Sequence, residues 1–169
     1  VLFPGGFGTH DEGFETITLL QTGKCRPRPV LCIAPKADRY WRQWYSFVKV
    51  LLKRDFILKE DLKLFKIVSS AEDAADEIIN FYRVYHSLRY LRNLTVIRLT
   101  KPIDKSVLKS LNRLFKDIIR TGAIERSAAL PEELANKEFA ELPRLVMDFN
   151  RRNFGRLHEM IHFINNNNS

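Results

Sequence analysis

The chain has 169 residues, 45% hydrophobic and 28% charged, with a formal net charge of +8. That balance fits one medium domain or two small ones and excludes a low-complexity or fibrous chain. No apolar run approaches the ~20 residues of a membrane-spanning helix. No signal peptide is visible, although a chain lacking its true start would not show one. The charge is uneven: residues 1–85 hold 13 Lys/Arg against 11 Asp/Glu, and residues 86–169 hold 15 against 9. A basic second half reads either as affinity for an anionic partner or as a solvated surface. The basic residues are dispersed rather than clustered, which favours the surface reading. Cys25 and Cys32 flank a Pro-rich turn and read as reduced thiols of a cytosolic protein.

Val1-Leu2-Phe3 is a short apolar run that reads as a buried strand. The run Pro4-Gly5-Gly6-Phe7-Gly8-Thr9-His10-Asp11-Glu12 follows it. Thr9 and Glu12 have capping-box spacing, so a helix is expected to open there and bury Phe14, Ile17, Thr18, Leu20 and Gln21 in part. Gly23 ends it. Val30–Ala34 reads as a second strand, after the loop that carries Pro27 and Pro29. Asp38 is placed to cap a helix from about residue 39 to 53, with Trp41, Trp44, Tyr45, Phe47, Val48 and Leu51 on its apolar side. Leu64–Val68 is a third strand candidate. Ser70-x-x-Asp73 opens a further helix, expected to run to about Arg92. Strands alternating with helices predict a parallel α/β sheet.

The remainder changes character. Leu94–Leu99 alternates as a strand, and residues 104–120 have helical periodicity that Gly122 stops. Ala123–Leu130 and Arg144–Phe149 read as strands, and Phe154–Ile164 as a helix. The order β-α-β-β-α is most of a ferredoxin-like or ACT-like unit without an obvious fourth strand. Asn165–Ser169 reads as a disordered tail.

A glycine turn between a strand and a helix start presents bare N–H groups at a sheet edge, which suits a phosphate. Gly-Gly-x-Gly alone is a weak signal. The fuller pattern Pro-Gly-Gly-x-Gly-Thr-x-x-Glu, followed by Phe14-Glu15-Thr16-Ile17-Thr18-Leu19-Leu20-Gln21-Thr22-Gly23-Lys24, resembles the Lonely Guy family. These are nucleotide phosphoribohydrolases often labelled lysine decarboxylases. The resemblance covers roughly residues 1–80. The stretch from Phe81 to Tyr90 and beyond is similar, less specifically, to the C-terminal extension of longer bacterial members.

The resemblance implies part of a Rossmann-like α/β domain over residues 1–92, then a small α+β extension over residues 93–164. It implies hydrolysis of the N-glycosidic bond of a nucleoside 5′-monophosphate such as AMP, giving free base and ribose 5-phosphate. Gly5, Gly6, Gly8 and Thr9 are then phosphate contacts, and Glu12 is the catalytic carboxylate. The family's partner arginine lies upstream of the motif and has no counterpart here. The chain is therefore expected to be a C-terminal part of a longer protein and inactive alone, with Arg39 and Arg42 as fallback partners for Glu12. No metal or other cofactor is required, and a homo-oligomer is expected. The alternative is a nucleotide-binding regulatory module that has lost catalysis. Binding to nucleic acid is a distant third.

Elementary chemistry agrees with the role given to Glu12, since a carboxylate beside the ribose stabilises oxocarbenium character or orients water. Its other reading is completion of the capping box. Glu15, one turn on, is either a ligand contact or a solvated helix residue. His10 reads as surface or packing more readily than as catalytic. His158 and His162 are four apart but lack a third metal ligand. Arg83, Arg89 and Arg92 among tyrosines read as an amphipathic linker helix rather than a nucleic-acid surface. Trp41 and Trp44 read as core.

Overall fold

The computed structural model describes residues 1–134 and 139–168. The chain divides into two compact units, Val1–Ile79 with Asn153–Glu159 and Asn80–Arg152 with Met160–Ser169. The division thus falls near residue 80, where the sequence places it after Arg92.

In the first unit, the N-terminal apolar run is a single parallel bridge, Leu2 to Cys32. The Leu2 N–H donates to the Leu31 carbonyl (2.7 Å), and the Leu2 carbonyl accepts from Ile33 (2.9 Å). Strand β1 (Leu31–Ile33) pairs in parallel with β2 (Lys66–Val68). Helix α1 (Phe7–Gln21) links the bridge to β1, and α2 (Tyr40–Lys53) links β1 to β2. Such crossovers are what parallel strands demand.

The core beside this sheet is aromatic. Trp41, Trp44 and Val48 recur at helical spacing on α2 and bury against Cys32 and Ala34, with Phe14, Ile17 and Phe65 packed alongside. The Trp41 indole N–H donates to the Ile33 carbonyl (3.0 Å), so this buried ring leaves no donor unmet. Phe47, assigned to the apolar face, instead stands 51% exposed. Asp38 is not the cap expected of it: the N-cap is Arg39, and Asp38, one residue earlier, accepts the Tyr40 N–H (2.8 Å) in a local turn. Gly23 adopts φ +69° and closes α1 as expected. Cys25 and Cys32 are free, and burial pushes the Cys32 thiol up to about 12, so it stays protonated.

Ser70 accepts the Asp73 N–H (3.0 Å) at the start of α3 (Ala71–Phe81). The helix does not continue to Arg92. It stops at Phe81, and Tyr85–Tyr90 is strand β3. The linker-helix reading of this arginine–tyrosine stretch is therefore corrected. Tyr85 and Leu88 are both buried although three residues apart, because the register shifts between Tyr85 and Ser87. A bulge gives a strand the spacing of a helix face.

The second unit carries β3, β4 (Thr95–Leu99), β5 (Glu125–Ser127) and β6 (Arg144–Met147) in an antiparallel sheet ordered β3-β4-β6-β5. Helix α4 (Lys105–Leu114) follows β4, the short α5 (Pro131–Leu134) follows β5, and α6 (Phe154–Asn167) ends the described chain. The strand missing from the ferredoxin-like reading is β3. It precedes the others, so the connectivity is β-β-α-β-β-α once the short α5 is set aside.

The asparagine tail is not disordered through residue 168. The Asn165 side chain accepts the N–H groups of Val84 (3.0 Å) and Tyr85 (2.9 Å) and donates to the Phe81 carbonyl (2.6 Å). Asn168 bonds the Asp104 N–H and the Pro102 carbonyl. The polar run looks like a frayed end, yet it satisfies buried backbone groups. Ser169 lies outside the described residues.

Glu133 sits fully buried between Arg98 and Arg144, which contact it at 2.8 and 2.7 Å. Burial pushes the carboxyl up, but the hydrogen bonds from the two guanidinium groups outweigh it and hold Glu133 below its ordinary value. Glu133→Ala should cost about 3–5 kcal/mol at neutral pH, because it strands two buried cations. The wild-type advantage is present above the ordinary carboxyl value and is lost as pH falls through the lowered folded-state value. Urea unfolding curves of the two proteins should accordingly converge in acid.

Candidate functional site

Gly6 is the N-cap of α1 (φ −88°, ψ −154°), and no side chain caps the helix. The first N–H groups of a helix have no intrahelical partner. Here they open onto the glycine loop that leaves the Leu2 bridge. The loop sits at the carboxyl edge of the parallel strands, beside the turns that follow Ile33 and Val68. A helix dipole and bare N–H groups at such an edge favour an anion.

The structure moves the helix start three residues earlier than the capping box predicts. Thr9 is inside α1, not its cap. The cause is Gly5. A Cβ there would lie 2.1 Å from the Thr9 Oγ1, so Thr9 occupies space that only glycine leaves. Gly6 and Gly8 differ: a Cβ on either would meet nothing within 4 Å. Neither has a positive φ, since Gly23 and Gly122 are the glycines that do among the described residues. A forbidden φ is therefore no reason for glycine at these two positions. Room for a close-approaching ligand remains one.

Glu12 consequently stands in the second turn of α1, past the first-turn reach of the helix dipole. It is exposed, as is Glu15 three residues on. Among the described residues no hydrogen bond or ion pair holds Glu12. Arg39 and Arg42 are not brought to it: Arg42 donates to the Lys36 carbonyl, and both side chains are exposed.

His10 lies elsewhere. Residues two apart on a helix differ by about 200°, so His10 and Phe14 face away from Glu12. The His10 ring stacks on Tyr40 (5.6 Å between centroids) and meets the edge of Trp41 (6.2 Å). His10 and Tyr40, with Phe7, Phe14, Trp44 and Phe47, line an open groove of about 400 Å³. Phe7 is 96% exposed at its mouth.

Beyond β2, hydrogen bonds from Ser69 and Ser70 hold the Asp73 carboxyl below its ordinary value, and Lys36 adds a smaller pull. This pairs the turn after β1 with the one after β2. Neither Tyr40 at the loop nor Lys36 at this edge stands out in the sequence, because nothing local ties them to a motif some thirty residues upstream. The two helix histidines serve structure: His158 bonds the Arg28 carbonyl (3.1 Å), and His162 packs on Phe81.

The family model described as possible lysine decarboxylase matches residues 1–78. That stretch holds the glycine loop, α1, β1, α2 and β2, and the match supports a Lonely Guy-type likeness for it. No curated protein matches the chain.

The three loop glycines should separate by mechanism. Gly5→Ala should displace Thr9 and lower the melting temperature. Gly6→Val and Gly8→Val should melt close to the wild type yet lose most affinity for inorganic phosphate and AMP in calorimetry. Full phosphate affinity in folded Gly8→Val would reduce the loop to a turn.

Proposed function

We propose that this chain carries the phosphate-binding and catalytic loop of a nucleoside 5′-monophosphate phosphoribohydrolase built on a Rossmann-like sheet. One observation carries the reading: an uncapped helix N-terminus behind a glycine loop, at the carboxyl edge of parallel strands, within the stretch that matches the family model. In open α/β sheets ligands collect at that edge. The phosphate of a nucleotide such as AMP takes the N–H groups of Gly6 to Thr9.

Glu12 projects from the next turn, one helical step beyond Gly8, so its carboxylate reaches the ribose side of a bound phosphate. There it stabilises the oxocarbenium-like sugar or orients the attacking water. Glu15, on the same exposed face, borders the ligand. Water and nucleotide give free base and ribose 5-phosphate, with proton transfers the only further chemistry. The reaction itself needs no redox cofactor. Two free thiols fit a reducing, cytoplasmic setting. The exposed aromatic groove on the opposite side of α1 fits a second copy of the chain better than solvent.

Two measurements test this. Glu12→Gln in the complete protein should release ribose 5-phosphate at least about a hundredfold more slowly while binding AMP nearly as well. Unchanged turnover across several nucleotides would remove Glu12 from the chemistry, and binding without turnover in the wild type would make the chain a nucleotide sensor. Phe47→Glu should halve the mass seen by light scattering, because it places a charge in the aromatic groove.

A further inference from the structure

Tyr40 joins two groups that are 35 and 30 residues away from it. Its hydroxyl lies 2.5 Å from the Gly5 carbonyl oxygen and 2.8 Å from the His10 Nε2. A tyrosine hydroxyl has one proton. The carbonyl can only accept, so that proton goes to Gly5. The His10 Nε2 must then be the donor, with its hydrogen on the tyrosine oxygen. For a neutral imidazole, only one arrangement of protons satisfies all three groups.

We infer that Tyr40 and His10 are positioning residues that hold the glycine loop in its anion-receiving form. The inference rests on the phosphate reading of the loop. Gly5 carries the first carbonyl after Pro4, and its peptide plane sets where the Gly6 N–H points. Holding that oxygen toward Tyr40 turns the following N–H away from it, because the peptide is planar and trans. A loop left to itself would sample many such orientations, and each would cost phosphate affinity.

The surroundings fix the relay from both ends. Tyr40 starts α2 with its N–H on Asp38, and its ring lies edge-on to Trp41 (4.9 Å), whose indole is tied to β1. His10 is held between Tyr40 and Phe14. The relay thus transmits the rigidity of the β1–α2 core to a loop of small residues. It also gives His10 a role. An apolar residue there would keep the packing but leave the tyrosine oxygen without its donor.

The test is spectroscopic and thermodynamic. In ¹⁵N-histidine-labelled protein, His10 should show the Nε2–H tautomer at neutral pH, assigned by its loss in His10→Gln. Tyr40→Phe should shift the backbone amides of Gly5 to Gly8 and weaken AMP and inorganic phosphate about five- to tenfold. KM should rise while kcat holds. His10→Leu should do the same. His10→Gln, whose amide N–H can replace Nε2–H, should stay within about twofold of wild type, a rescue that packing alone does not give. Near-UV circular dichroism of the tryptophans confirms folding of each variant.

An Nδ1–H tautomer would overturn the relay. So would Tyr40→Phe with unchanged loop amides, or His10→Gln as weak as His10→Leu. Wild-type protein that binds neither AMP nor phosphate would instead overturn the phosphate reading, and the amide shifts alone would then decide the relay.

Discussion

The missing side chain at Gly5 is the constraint on which the site depends. Thr9 Oγ1 lies where a Cβ would be. Because it fits there, α1 begins at Phe7 instead of His10, and three further residues join the helix. The N–H groups left without an intrahelical partner are then those of Phe7, Gly8 and Thr9, and no side chain caps them. One absent methyl therefore decides where the helix opens. It also sets the depth of Glu12, which moves from the first helical turn to the second.

That shift explains what was legible in the sequence and what was not. The strand–turn–helix order, the Gly23 stop, the Ser70 bond to Asp73 and the aromatic face of α2 were readable because each depends on neighbours within one or two turns. The capping box failed because it competes with a contact between Gly5 and Thr9 that spacing rules do not weigh. The reading of Tyr85–Tyr90 as helix failed because a bulge set Tyr85 and Leu88 on one side. The asparagine tail failed because its partners, Phe81, Val84 and Tyr85, are some eighty residues away. Low complexity described the tail's composition and was blind to its hydrogen bonds. Glu12 was identified by motif and Glu15 by its place one turn later; their exposure and the absence of a bond to Arg39 or Arg42 needed coordinates.

The basic second half has a structural explanation in part. Arg98 and Arg144 are spent on one buried carboxylate, and Arg120 pairs with Asp148 at 2.6 Å. Arg144 also donates to the carbonyls of Phe139 and Leu142, which ties the end of β6 to the turn before it. Two cations around one buried anion leave a net positive charge inside, and those carbonyl dipoles offset it. Charge that holds a fold is not displayed to a partner, so a count of +6 over residues 86–169 overstates the surface available to nucleic acid.

Helix α1 divides its labour by angle. Its N-terminus offers N–H groups, one face presents Glu12 and Glu15, and the opposite face presents Phe7, His10 and Phe14. A carboxylate without a partner must stay wet or meet ligand, whereas an aromatic groove gains by being covered. Putting the two on opposite sides lets either be satisfied without disturbing the other. His10 is the exception on the aromatic side, and Tyr40 accounts for it. The imidazole donor meets the tyrosine oxygen, the tyrosine proton meets the loop, and a polar group inside an aromatic stack becomes the means by which the stack orients the loop at the end of the helix.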